Sequence, residues 1–184
     1  MATTYRVTHQ TVLGNNQAAS SRLLSLRNAH ATNQLRVRRL VAQWMQTGAH
    51  TAAILGDLAA WRVTGFSVSD TTNKVDRIGV TSIGSQVAPG SAEVRGLTGA
   101  GNSAGMTGGS LTKAGGVPFS QLAQWLLAAQ PTAGTIFPMV GDLITTPVIL
   151  APNEGLIVEN SILLGAAAAS AVYFELEWEE LTVP

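Results

Sequence analysis

The chain has 184 residues, no cysteine and equal numbers of acidic and basic side chains, 11 of each. That excludes disulfides, thiolate nucleophiles and zinc–thiolate sites, and makes the chain a poor nonspecific nucleic-acid binder, since such affinity follows the number of phosphates neutralised. Charged residues are 12% of the chain, where about a quarter is usual, so a surface partly covered by neighbours is expected.

The length fits one domain with its own core. Charge is not spread evenly along it. Residues 1–95 carry nine Arg and one Lys against four acids, giving +6, while residues 96–184 carry only Lys113 against seven acids, giving −6. Complementary halves of this kind pair within a fold or between subunits, where they fix register more than they add affinity. His9, His30 and His50 lie far apart, in no metal-binding spacing, and read as surface histidines. No cofactor is expected. No signal peptide is evident at Met1, and the longest weakly polar run, residues 163–174, is shorter than the roughly twenty residues of a membrane helix. A protein made in the cytoplasm, with no membrane partner, is the expectation.

In chain order, residues 1–25 read as an extended N-terminal arm, rich in Asn, Ser, Thr and Gln and too poor in apolar content to fold alone. Residues 26–184 read as a single β-sandwich domain. A first strand around Arg22 to Arg27 leads through a turn at Asn28 to Asn33 into a long strand from Gln34 to Met45. The apolar phase of that strand slips at Arg38 and Arg39, which predicts a β-bulge. Ala52 to Ala60 has the composition of a helix turn, and Trp61 to Thr64 that of a strand. Residues 96–116 hold eight glycines and read as a long loop. Its GxGxxxG spacing at Gly99, Gly101 and Gly105 lacks the flanking strand and helix of a phosphate cradle.

Pro118 to Gln130 is the best helix candidate, with Ser120 as its cap and Leu122, Trp125, Leu126 and Ala129 at helical spacing. Strands follow at Thr135 to Phe137, Val148 to Leu150 and Leu156 to Glu159, with a tight turn at Pro152 to Gly155 in which Gly155 can take positive φ. The closing strand alternates without error. Val172, Phe174, Leu176 and Trp178 share one face, while Tyr173, Glu175, Glu177 and Glu179 share the other. Many short strands, one short helix and a long central connection predict an all-β, jelly-roll-like β-sandwich.

Three segments together resemble the small jelly-roll virion structural proteins of tailed bacteriophages: Leu26 to Arg39, Trp61 to Gly65, and Leu150 to Val158 followed by Gly165 and the acidic closing strand. The resemblance spans about residues 24–180 and departs from the family pattern in the glycine-rich middle. It implies a capsid decoration or cement protein on the virion surface, commonly a homotrimer, with the major capsid protein and its own copies as partners. It brings no catalytic residues.

Two residue rows are the candidate interface. Arg36, Arg38 and Arg39 form a small basic cluster, and Glu175, Glu177 and Glu179 form its natural counterpart, within one subunit or across two. The competing reading is a solvated charged edge that discourages strand aggregation. Glu175 and Glu177 stand roughly 7 Å apart by the strand rise, a spacing that a glycosidase could use, but a flat strand face is not a cleft. A carbohydrate-binding head-fibre or receptor-binding module is the alternative function, which would need some of Trp44, Trp61, Trp125 and Trp178 on an exposed face.

Overall fold

In the computed structural model the described residues are 3–13, 18–46, 54–65, 75, 78–79, 92–97, 111–126, 139–162 and 170–181. They form twelve strands: β1 (Thr3–Val12), β2 (Arg22–Asn28), β3 (Gln34–Gln46), β4 (Ile54–Thr64), β5 (Ile78–Gly79), β6 (Ala92–Gly96), β7 (Thr112–Lys113), β8 (Ser120–Leu126), β9 (Met139–Ile144), β10 (Val148–Leu150), β11 (Gly155–Glu159) and β12 (Ser170–Leu181). Two antiparallel sheets result. One runs β10-β3-β12-β1-β5, with β9 also on β3, and the other runs β6-β2-β11-β4-β7, with β8 also on β4. From β1 to β6, and again from β10 to β12, each successive strand lies in the opposite sheet. That alternation is the jelly-roll-like sandwich expected from the spacing of strands and turns.

Period-two alternation explains the core. Tyr5 and Val7 of β1, Leu35, Val37, Leu40, Ala42 and Trp44 of β3, and Val172, Phe174, Leu176 and Trp178 of β12 all point inward and are buried. They meet Leu24 and Leu26 of β2, Leu58 and Ala60 of β4, and Leu156 and Val158 of β11 in one cluster between the sheets. The phase slip in β3 is a bulge: Glu177 stands opposite Arg39 and Trp178 opposite Val37, which leaves Arg38 as the extra residue. The bulge turns Arg36, Arg38 and Arg39 outward while keeping Val37 and Leu40 in the core.

Three expectations need correction. The helix predicted at 118–130 is absent from the described residues, because Ser120–Leu126 is strand β8, paired residue for residue with Ile54 to Ala60 of β4. Leu122 meets Leu58 there, and Gln121 donates a 2.8 Å hydrogen bond to the buried Asp57 carboxylate. Cross-strand pairing outweighs a local helical spacing that only a few residues support. The same pairing keeps Ile54 to Ala60 extended, so no helix turn forms in that stretch; residues 52–53 lie outside the described residues. Finally, the stretch read as an arm contains a full strand. β1 pairs along its whole length with β12, from Thr3 opposite Glu180 to Val12 opposite Ala171.

The turn before β11 also differs in detail. Asn153 takes the left-handed conformation at φ 62°, and Gly155 is already in the strand. An Asn side chain tolerates that region better than most residues. Asn28 ties this turn to the β2 end: its N–H bonds Glu154 O at 2.9 Å, its carbonyl accepts from Asn153 N–H at 3.1 Å, and its side-chain amide donates to Leu150 O at 3.2 Å. Arg62 of β4 reaches the same corner and donates to Glu154, whose carboxylate also accepts the Ala151 N–H at 2.7 Å. Most of the glycine-rich loop and the strand expected at Thr135 to Phe137 lie outside the described residues.

Candidate functional site

The outer face of the β1-β12-β3 sheet gathers the charge. Inward alternation of Phe174, Leu176 and Trp178 forces Glu175, Glu177 and Glu179 outward in a row along β12. Strands on both sides face this row with arginine. On β1, Arg6 Nε donates to Glu177 Oε1 at 2.8 Å and lies 3.6 Å from Glu175. On β3, Arg38 Nη1 reaches Glu179 at 2.8 Å, Arg36 Nη1 reaches Glu179 at 3.5 Å and Arg39 Nη1 reaches Glu175 at 3.3 Å. Beyond β3, Asp142 of β9 sits 3.6 Å from Arg39 Nε. Arg38, Arg39, Asp142, Ile144, Thr145 and Glu177 line an open depression of about 460 Å³ here.

The six residues predicted from the two rows therefore come together within one subunit. Arg6 and Asp142 belong with them and were not singled out by sequence. Arg6 had a legible signal, since Tyr5, Val7, His9 and Thr11 alternate with Thr4, Arg6, Thr8 and Gln10. Asp142 had none, because Met139–Ile144 carries no clear period. The Glu177 hydrogen bond and charge raise the pKa of the Arg6 guanidinium, holding it protonated. Each exposed pair contributes only about 0–1 kcal/mol, so the ladder fixes register and partner choice more than stability.

The carboxylates stand in a row along one sheet face, each beside a guanidinium. Among the described residues no group of three His, Asp or Glu is placed to hold a metal ion. Trp44 and Trp178 are fully buried and cannot serve as a sugar platform. Trp61 lies on the other sheet, packed with Val63, Ile157 and Leu111, and the Lys113 ammonium stands 4.5 Å over its ring while pairing with Glu159. The side chain of Trp125 and all of His50 fall outside the described residues.

His9 is not the surface histidine expected. It lies at the seam where β1 of one sheet meets β6 of the other, with Nε2 3.0 Å from Leu97 O, which also accepts from Thr11 Oγ1. A Cβ on Gly96 would collide with the His9 ring and stand 2.7 Å from Val75, so only glycine allows this approach. Burial lowers the His9 pKa below the ordinary 6.5, and the bond to Leu97 offsets this only in part. The unfolded chain therefore binds the proton more readily. The resulting stability is fully present above about pH 6.5 and is lost as pH falls from there toward the depressed folded value. Melts between pH 7.5 and 5.5 are expected to show a declining Tm, with a smaller decline for His9→Gln; equal slopes would contradict the assignment.

The fold and its outer face define an all-β, two-sheet sandwich with a self-paired ionic surface, an architecture compatible with a structural protein. No protein-family model matches the chain, and no curated protein does. Among solved structures it is aligned with the infectious bursal disease virus VP2 subviral particle at 11% identity and a TM-score of 0.12, a likeness too low to carry an argument. The alignment takes 96% of this chain, which spans 41% of that one.

Proposed function

We propose that the chain is a virion structural protein, a decoration or cement subunit on the capsid surface of a tailed bacteriophage. In this role it clamps neighbouring copies of the major capsid protein and associates with its own copies as a homotrimer. The observation that carries the reading is the convergence of the three segments that bear the family resemblance. Leu26 to Arg39, Trp61 to Gly65 and Leu150 to Val158 are far apart in sequence, yet β2, β11 and β4 are neighbours and the Asn28, Glu154 and Arg62 bonds knit their ends into one corner.

The charge distribution adds support. The described basic residues of the first half pair largely with acids of the second, as in Arg6–Glu177, Arg38–Glu179 and Arg62–Glu154. These charges have partners within the chain while keeping much of their side chains exposed, and Val117, Phe119, Ile149, Ile162 and Tyr173 are exposed large apolar side chains. Exposed apolar groups on a charge-poor surface suit extensive protein contacts. The test is add-back. Particles lacking the protein should rupture at lower temperature than complete ones, and the purified chain should co-sediment with them and restore the rupture temperature. Failure to co-sediment, or binding with no change in rupture, would remove the cement role.

A further inference from the structure

We propose that the ionic face of the β1-β12-β3-β9 sheet is an isologous contact, on which a second copy of this chain docks face to face about a two-fold axis running along the strands midway between β12 and β3. The order of charge across the face favours this pairing. β1 presents Arg6, β12 presents Glu175, Glu177 and Glu179, β3 presents Arg36, Arg38 and Arg39, and β9 presents Asp142. The columns thus run positive, negative, positive, negative. Such a sequence is antisymmetric about its midpoint, so a copy turned over about that midpoint sets every column against one of opposite sign. A mirror-symmetric order would place like on like.

Register sharpens the pairing. A two-fold along the strands carries each β12 residue of the copy onto the β3 residue that is its own cross-strand partner. Glu177 of one copy therefore faces Arg39 of the other, Glu179 faces Arg36, and Tyr173 faces Gln43. By symmetry each contact occurs twice, as an isologous interface requires. Arg6, Arg36, Arg38, Arg39 and Asp142 are each 45–53% exposed despite their bonds within the chain, while Glu175, Glu177 and Glu179 are 32%, 20% and 12% exposed, so the contact is made by arginines reaching onto the glutamate row of the facing copy. Face-packed sheets stand about 10 Å apart, a gap that long Arg and Glu side chains span. Charge complementarity selects the partner and register. Tyr173 and Ile149, both exposed on or beside this face, supply apolar contact, and Tyr and Arg are residues that commonly anchor interfaces.

This pairing stands independently of the capsid role. In a trimer held by other surfaces, the same face joins copies of two neighbouring trimers, so species with even copy numbers are expected in either case. The experiment uses two charge variants of the full chain, Arg39→Glu and Glu177→Arg, in sedimentation at low and at physiological salt. Wild type should form even-numbered species. Each variant alone sets like charges against each other twice and should weaken pairing by about tenfold or more. Mixed one to one, the variants should recover pairing as heterodimers. One of the two symmetry-related contacts is then the native Glu177 against Arg39, and the other carries both substitutions, so its charges are opposite again with their places exchanged. A purely internal role for these pairs gives no recovery on mixing. As a second measurement, Gln43→Cys in a chain with no other cysteine should cross-link to a dimer with a short bismaleimide. Wild type without even-numbered species, variants that pair like wild type, a mixture that stays apart, or no cross-link would each overturn the proposal.

Discussion

Removing residues 1–13 is expected to abolish folding. The segment contributes Tyr5, Val7 and Leu13 to the core, each no more than 3% exposed, and a ladder of ten residues against β12. Full burial of an apolar side chain contributes roughly 1.5–3 kcal/mol, so three such residues amount to about 5–9 kcal/mol. Whole domains are stable by about 5–15 kcal/mol, which the deletion would consume before any ladder bond is counted. It also bares the edge of β12, a long strand prone to pair with other chains. Near-UV circular dichroism should show no fixed aromatic packing, and the truncated chain should aggregate. A truncated protein that still melts cooperatively would mean that this segment is the separable arm its composition suggests.

The second large effect is expected at Trp178. Its ring is fully buried on β12, stacks on Tyr5 at 5.6 Å between centroids with 21° between planes, and stands opposite Val37. Trp178→Ala should destabilise the fold by about 3–5 kcal/mol through lost contact and the cavity left behind. For a chain of this size the Tm should fall by roughly 6–20 °C. The indole N–H is buried and has no hydrogen-bond partner among the described residues, so Trp178→Phe should be far milder. Tyr173→Ala, one strand face away and 40% exposed, should change stability by no more than about 0.5 kcal/mol. A Trp178→Ala loss no larger than that of Tyr173→Ala would contradict the core assignment.

Much of the fold was legible because alternation is strong where one face is buried. The closing strand, the long β3 with its bulge and the turn after Asn28 all follow from period-two spacing and turn residues. Ser120–Leu126 misled because its Leu122, Trp125 and Leu126 fit a helical stripe, while the decisive factor was a partner strand 60 to 72 positions earlier in the chain. Residues 3–12 misled in the other direction: Thr and Gln dominate the composition, yet their alternation with Tyr5 and Val7 is that of a half-buried strand. The ionic face was half legible. Sequence located two complementary rows, but not that strand order would set Arg6 and Asp142 on either side of them, since neighbours in a sheet are fixed by topology and not by proximity along the chain.

The pairing within one subunit changes what the charged rows can do in an assembly. They need no partner to be satisfied, so they act by orientation: a wrong neighbour meets like charge, and a correctly placed one completes a larger network. The proposed decoration role calls for such behaviour, since a subunit of that kind attaches in one pose at many equivalent positions. The most direct measurement of this account is the copy number of the protein on purified particles, by quantitative mass spectrometry against the shell protein. A fixed stoichiometric ratio to the shell protein is the predicted result. Absence from the particle, or only a few copies on each, would contradict it.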